Sequence, residues 1–308
     1  MSRIYEALRR ADLERKAQLG TELHPAEEAK AGIEFAEQPP ALADEMTGKA
    51  SEHAWQPVTD SIPCLMERGA VVEQFRGLRS KLTQARQEAS IKSVLISSGM
   101  PSEGKSFVTL NLAVSLAREG VNRVLLIDGD LRRPTLHSIL GAPNQPGLSE
   151  YLAGTAEAGA ILQKNKIEKK DSNPYGQVLE NLTLIPSGAC SEASSELVTN
   201  GRMQNLLATL SPHFDWILID SPPVLAVTDA VDLARACDAV LLVAREAHTP
   251  YEVAQRAQAA FRQSRLLGVV LNAAKRIPRN GYAYYSYYYG ASDADSHPER
   301  KKKLRGKG

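Results

Sequence analysis

The chain has 308 residues, 43% of them hydrophobic and 24% charged, which is enough apolar material for one large core or two smaller ones. A formal charge of +1 excludes global attraction to nucleic acid, so any electrostatic recognition must be local. Cys64, Cys190 and Cys237 are too few and too far apart for a disulfide framework or a paired metal knuckle. No apolar run is long enough to span a bilayer and the charged start does not resemble a secretory leader, so the expected compartment is the cytoplasm.

Residues 1–16 predict an amphipathic helix. Ile4, Leu8 and Ala11 share one stripe, surrounded by Arg3, Arg9, Arg10, Arg15 and Lys16. Two readings stay open: a docking helix for a partner or an anionic membrane surface, and a frayed terminal helix. Residues 20–50 then carry seven acids against Lys30 and Lys49, with no sustained period. The expectation is a disordered acidic linker over residues 17–54. A folded unit is expected from 55 to 280, opening with a helix over 70–89. Within that helix Glu73, Arg76 and Arg79 recur every three residues, a spacing that suits a salt-bridged face.

The stretch around residues 94–116 organises the rest. Val94, Leu95 and Ile96 predict a strand, residues 99–106 read GMPSEGKS, and an apolar-periodic helix follows. Strand, glycine-bounded loop and helix in this order form a phosphate-binding P-loop. Gly99 and Gly104 permit backbone shapes that a Cβ would block, and the loop amides with the helix N-terminus cradle phosphate. Lys105 reaches toward the β- and γ-phosphates, and the Ser106 hydroxyl suits a Mg²⁺ shell. The nucleotide-binding set predicted here is Gly99, Ser102, Glu103, Gly104, Lys105, Ser106 and Phe107.

A second apolar strand ends in Asp128-Gly-Asp130-Leu-Arg132, and a third, DWILIDSPP, ends in Asp220 followed by prolines. Parallel strands deliver such carboxylates to one sheet edge, where Mg²⁺ or a general base is needed. Asp130 and Asp220 are the metal candidates beside Ser106. Short helices are expected near 147–154 and 252–263, strands at 182–186, 239–244 and 266–272, and a lysine-rich surface insertion at 163–176. Alternating strands and helices predict an α/β fold, a P-loop NTPase with a doubly wound, mostly parallel sheet. The segment 281–308 holds six of the ten tyrosines, Tyr282, Tyr284, Tyr285, Tyr287, Tyr288 and Tyr289, and ends in a basic run from Arg300 to Lys307. That run suits acidic lipid or protein, or is a solvated tail.

These pieces together resemble the bacterial tyrosine kinases, in particular the CpsD/CapB-type autokinases of polysaccharide export, over about 70% of the chain. The opening MSRIYEALRRA is similar to the exosortase-associated members. The Walker A, A′ and B motifs match at 99–106, 124–132 and 217–223, and the family's E-x-x-R-x-x-R oligomerisation motif matches Glu73, Arg76 and Arg79. Two features depart from the family: residues 189–195 replace a proline-rich PPNP-like segment, and the 163–176 stretch is long.

The resemblance implies transfer of phosphate from ATP·Mg²⁺ to protein tyrosine. Lys105, Asp128 and Asp130 would be catalytic, with Asp128 as base, and the clustered tyrosines would be acceptors in a neighbouring subunit. Arg132 is read either as a contributor or as a structural ion pair. Implied partners are further copies of the chain in an oligomer or ring, a separate transmembrane co-polymerase or chain-length determinant recruiting it to the inner membrane face, and a tyrosine phosphatase. The alternative is a MinD/ParA-like ATPase switch without kinase activity. Against it stands Met100, where those ATPases carry a second signature lysine.

Overall fold

The computed structural model describes residues 50–166, 175–189 and 194–274. The predicted 1–16 helix, the linker to residue 49, the tyrosine cluster and the basic tail lie outside the described residues. An eight-stranded sheet runs in the order β1-β4-β5-β3-β6-β2-β7-β8. The strands are β1 (Ser51–His53), β2 (Ser93–Ser98), β3 (Val124–Asp128), β4 (Gln163–Asn165), β5 (Leu182–Ile185), β6 (Trp216–Asp220), β7 (Ala239–Arg245) and β8 (Leu266–Asn272). Every pairing is parallel except β4 with β5.

The central strands are apolar without alternation because both faces are covered. Successive side chains point to opposite faces, so Val94 and Ile96 join one core with Val124, Leu126 and Leu218, while Leu95 joins the other with Leu125, Ile217 and Ile219. The Ala70–Ala89 and Lys105–Ala117 helices cover the first face. The Leu148–Leu152, Arg202–Leu210, Asp229–Ala236 and Tyr251–Ala260 helices cover the second. All ten residues from Val108 to Ala117 are buried. The phosphate-loop helix is therefore held rigid by tertiary packing around most of its girth, which fixes the loop at its N-terminus.

Two boundaries differ from the sequence expectation. Ser51–His53, expected in the acidic linker, pairs in register with Gln163–Asn165 as a parallel edge of the sheet. Gln163–Asn165, expected in the surface insertion, is a strand with Gln163 fully buried. Neither segment has the β-branched or aromatic residues that mark a strand locally. Pairing at a distance imposes the conformation instead, and the Asn165 carboxamide accepts the Trp55 N–H at 3.0 Å across the join.

The Ala70–Ala89 helix is tied down through its basic residues. Arg76 meets Glu73 at 2.5 Å and donates to the Glu67 carbonyl at 2.8 Å. Arg79 donates to the Ser115 carbonyl at 2.7 Å and pairs with Glu119 at 3.0 Å, so it closes the far end of the phosphate-loop helix. Arg86 lies 5.1 Å above the buried Trp216 ring, a cation–π contact to the foot of β6. The predicted salt-bridged face is thus present, and it also buttresses the P-loop helix within one chain.

Candidate functional site

β2, β3 and β6 are neighbours, so their C-terminal ends bring the P-loop, Asp128 and Asp220 to one edge. The register places Asp128 directly opposite Asp220. A doubly wound sheet binds ligands at this position because the loops diverge there and leave a crevice. The three strands that sequence singled out are the three that meet.

The loop between β2 and the Lys105–Ala117 helix takes an unusual backbone path. Gly104 has φ of 91° and Ser102 has φ of 64°, both in the left-handed region. Such turns aim successive N–H groups into one concavity, a nest for anions that the helix N-terminus reinforces. Gly104 also has no room for a side chain: a Cβ would stand 2.0 Å from Asn272 Nδ2. At Gly99 a Cβ would stand 2.9 Å from the Val253 side chain. A Cβ at either position would displace the neighbouring side chain.

Lys105 Nζ lies 3.0 Å from Asp130 Oδ2, 4.0 Å from Asp220 Oδ2 and 3.4 Å from the Ser106 hydroxyl. Burial works against its charge, but Asp220 and Asp130 outweigh that penalty and hold its pKa above the ordinary lysine value. It stays a cation at neutral pH. Asp220 is completely buried and its pKa is raised, chiefly by desolvation, with Lys105 and Ser106 opposing. Thr109 donates to Asp220 Oδ1 at 3.4 Å, whereas Oδ2 accepts no hydrogen bond.

That open, buried oxygen beside Ser106 is the observation that fits Mg²⁺. Among the described residues no group of three His, Cys, Asp or Glu side chains is arranged to hold a metal by itself. Mg²⁺ suits such a place, since it ordinarily takes one or two protein oxygens and completes its shell with water and phosphate. Asp130 is less open: Oδ2 faces Lys105 and Oδ1 accepts the Arg133 N–H at 3.0 Å.

Asp128 has no solvent exposure, and its pKa is pushed up to about 7 by burial first and by Asp220 second. Its Oδ2 accepts the Thr135 and Leu136 N–H groups, each at 3.0 Å, which resists the rise. Its Oδ1 accepts only a long bond, 3.3 Å, from Asp130 N–H. A carboxylate titrating near neutrality with one lightly used oxygen has the properties of a general base. It also organises the turn into the Leu136–Leu140 helix.

Several predicted residues sit differently from expectation. Glu103, placed in the nucleotide set, has a fully buried side chain that accepts from Met100 N–H at 2.7 Å and from the Thr249 hydroxyl. Its carboxylate braces the loop from behind. The Phe107 ring turns inward, edge-on to Phe75 at 5.9 Å, and belongs to the core between two helices. Arg132 is paired with Asp229 at 3.1 Å, which favours the structural reading of that residue. The sequence reading also missed three residues behind the loop. Arg245 donates to the Ser102 carbonyl at 3.1 Å, Asn272 donates to the Glu103 carbonyl at 2.9 Å, and Thr249 reaches Glu103. A polar residue closing an apolar strand, as Asn272 does, is the one local signal available.

Comparison with known proteins agrees with this geometry. The AAA domain family matches residues 96–255. The chain is 35% identical over 226 residues to the putative tyrosine-protein kinase CapB of Staphylococcus aureus, covering 72% of this chain and 92% of that protein. The chain belongs to the bacterial tyrosine kinases. Its enzyme class is accordingly that of a protein-tyrosine kinase. The tyrosine-protein kinase wzc of Salmonella typhimurium is 36% identical over 73% of this chain, but the match spans only 30% of that longer protein. In three dimensions, the kinase domain of the Escherichia coli tyrosine kinase ETK superposes with a TM-score of 0.61 at 33% identity. That superposition covers 68% of this chain and 78% of the other. The fold of this tyrosine kinase is thus the P-loop NTPase sheet expected from sequence, with flanking helices on both faces. Among its described residues no helix is long and apolar enough to cross a membrane.

Proposed function

We propose that this tyrosine kinase transfers the γ-phosphoryl group of ATP to tyrosines of its own C-terminal cluster, between subunits of an oligomer. The observation carrying this reading is the meeting of Lys105, Asp128, Asp130 and Asp220 at one sheet edge beside a left-handed phosphate loop. Loop amides and Lys105 hold the phosphates and stabilise the transferring group. Ser106 and Asp220, with Asp130 adjoining, would hold Mg²⁺, which neutralises phosphate charge when bound. The acceptor hydroxyl oxygen forms the new bond to phosphorus as the bond to ADP breaks, and its proton passes to Asp128. A phenol near its usual pKa of ~10 profits from such a base.

The acceptors are Tyr282, Tyr284, Tyr285, Tyr287, Tyr288 and Tyr289 of a neighbouring subunit, brought within reach by packing through Glu73, Arg76 and Arg79. Several phosphates within eight residues repel one another, so phosphorylation opens the oligomer and a tyrosine phosphatase resets it. A separate transmembrane co-polymerase or chain-length determinant recruits the kinase to the inner membrane face, where it regulates capsule or exopolysaccharide assembly.

The test is intact mass after incubation with ATP and Mg²⁺, with and without the partner's cytoplasmic segment. Lys105→Met and Asp128→Asn run beside the wild type. Phosphate additions mapped to the six clustered tyrosines and lost in both variants support the reading. ADP formation with no phosphate on protein, even with the partner present, refutes it and leaves an ATPase switch.

A further inference from the structure

We propose that Thr249 and Asn272 are positioning residues for phosphoryl transfer, holding the phosphate loop in its nucleotide-binding shape through Glu103. The inference rests on the loop being the nucleotide site.

The loop is held in a shape that its residues do not favour alone. Ser102 is not a glycine, yet it sits at φ of 64°, a conformation that persists only where surroundings over-determine it. The surroundings that do so are all polar and all remote in sequence. Thr249 donates its hydroxyl to Glu103 Oε1, and the Thr249 Oγ1 in turn accepts the Arg245 N–H at 2.8 Å. Glu103 Oε2 takes the Met100 N–H at 2.7 Å, so one buried carboxylate bridges the start of the loop to the turn after β7. Asn272 grips the next peptide by donating Nδ2 to the Glu103 carbonyl at 2.9 Å, in the space that the missing Cβ of Gly104 leaves. The Asn272 carbonyl in turn accepts the Glu246 N–H at 2.9 Å, which closes the network between β7 and β8.

The Thr249 and Asn272 bonds end on Glu103, so these side chains act on phosphate through the loop. Their effect is on which way the loop amides face. Without the Thr249 hydroxyl, the Glu103 carboxylate loses a partner in a site with no water exposure. The loop can then recover hydrogen bonds only by turning. Turning removes the convergence of N–H groups on which anion binding depends.

The test uses the full-length chain and Mg·ADP as the probe, with titration calorimetry for binding and the ATP KM and kcat of autophosphorylation read alongside. Thr249→Val keeps the shape and removes the hydroxyl; Thr249→Ser restores it. The expected result is Mg·ADP binding weakened about tenfold in Thr249→Val, with a matching rise in KM and a smaller change in kcat, and near-complete recovery in Thr249→Ser. Asn272→Ala, at a partly exposed position, is expected to weaken binding about threefold and provides an answer if Thr249→Val fails to fold. Wild-type affinity in both Thr249→Val and Asn272→Ala overturns the proposal. Equal weakening in Thr249→Val and Thr249→Ser also overturns it, because the hydroxyl would not be the cause. A wild type that does not bind Mg·ADP at all overturns the nucleotide reading instead.

Discussion

Replacing Gly104 by alanine separates two forces that act at one atom. The first is backbone: at φ of 91° an L-residue in the left-handed region costs about 1–2 kcal/mol. The second is steric. The new Cβ would lie 2.0 Å from Asn272 Nδ2 and 3.3 Å from its Cγ, and meets no other side chain within contact distance. Asn272 must therefore leave, and its 2.9 Å bond to the Glu103 carbonyl goes with it, at about 1 kcal/mol. Together, Gly104→Ala should cost about 2–3 kcal/mol. In an Asn272→Ala background the clash is gone and the bond already lost, so adding Gly104→Ala should cost only about 1–2 kcal/mol. The double-mutant cycle thus predicts a coupling of about 1 kcal/mol, with the pair less damaging than the sum of the singles. Urea unfolding in EDTA without nucleotide measures all four corners of the cycle. Strict additivity, or a Gly104→Ala cost below about 0.5 kcal/mol, would refute the reasoning, because either means that Asn272 does not occupy the space the glycine leaves.

Three further outcomes follow from the same geometry. Asp128 must be ionised to act as base and has its pKa pushed up to about 7, so the phosphorylation rate should rise as pH increases through about 7 and level off above it. Asp128→Asn should lose about 10²–10⁴ in rate and abolish that pH step, as read by initial rates in a pH series. Arg79→Ala removes a 2.7 Å bond to the Ser115 carbonyl and a 3.0 Å ion pair with Glu119, so it should lower the melting temperature of the monomer as well as weaken assembly. Thermal melts at low protein concentration check this, and an unchanged melt would refute the buttressing role of Arg79. Metal-free ADP should bind more weakly at pH 8 than at pH 6, because ionised Asp128 adds negative charge beside the phosphates, whereas Mg·ADP should show a smaller drop; calorimetry at both pH values decides it.

What could be read from sequence and what could not divide along a physical line. β2, β3, β6 and β7 were legible because strands covered on both faces must be apolar throughout, and β3 and β6 each ended in an aspartate. The P-loop was legible because its glycines, lysine and serine are local in sequence. β1 and β4 were illegible: Ser51–His53 and Gln163–Asn165 are polar triplets whose strand conformation comes from pairing, β1 with β4 more than a hundred residues away and β4 also with β5. The inward turn of Glu103 was hidden for the same reason. Nothing adjacent to an exposed-looking Pro-Ser-Glu run announces Thr249, 146 positions later, or Asn272, 169 positions later. Motif positions therefore fixed where the phosphate loop lies, while the residues that shape it came only from the packed sheet.

The charge balance at the sheet edge links these parts. Asp128, Asp130 and Asp220 gather around Lys105, which comes within 4.0 Å of two of them. Burial raises the pKa of Asp128 and Asp220, the neighbouring acids add to that rise, and the same acids hold Lys105 protonated. Nucleotide phosphates would add to the negative charge there. Mg²⁺ held beside the open Asp220 Oδ2 would offset it, and would lower the cost of ionising Asp128. On the proposed mechanism, base strength at Asp128 and metal occupancy at Asp220 would then be coupled across the 128–220 strand pairing.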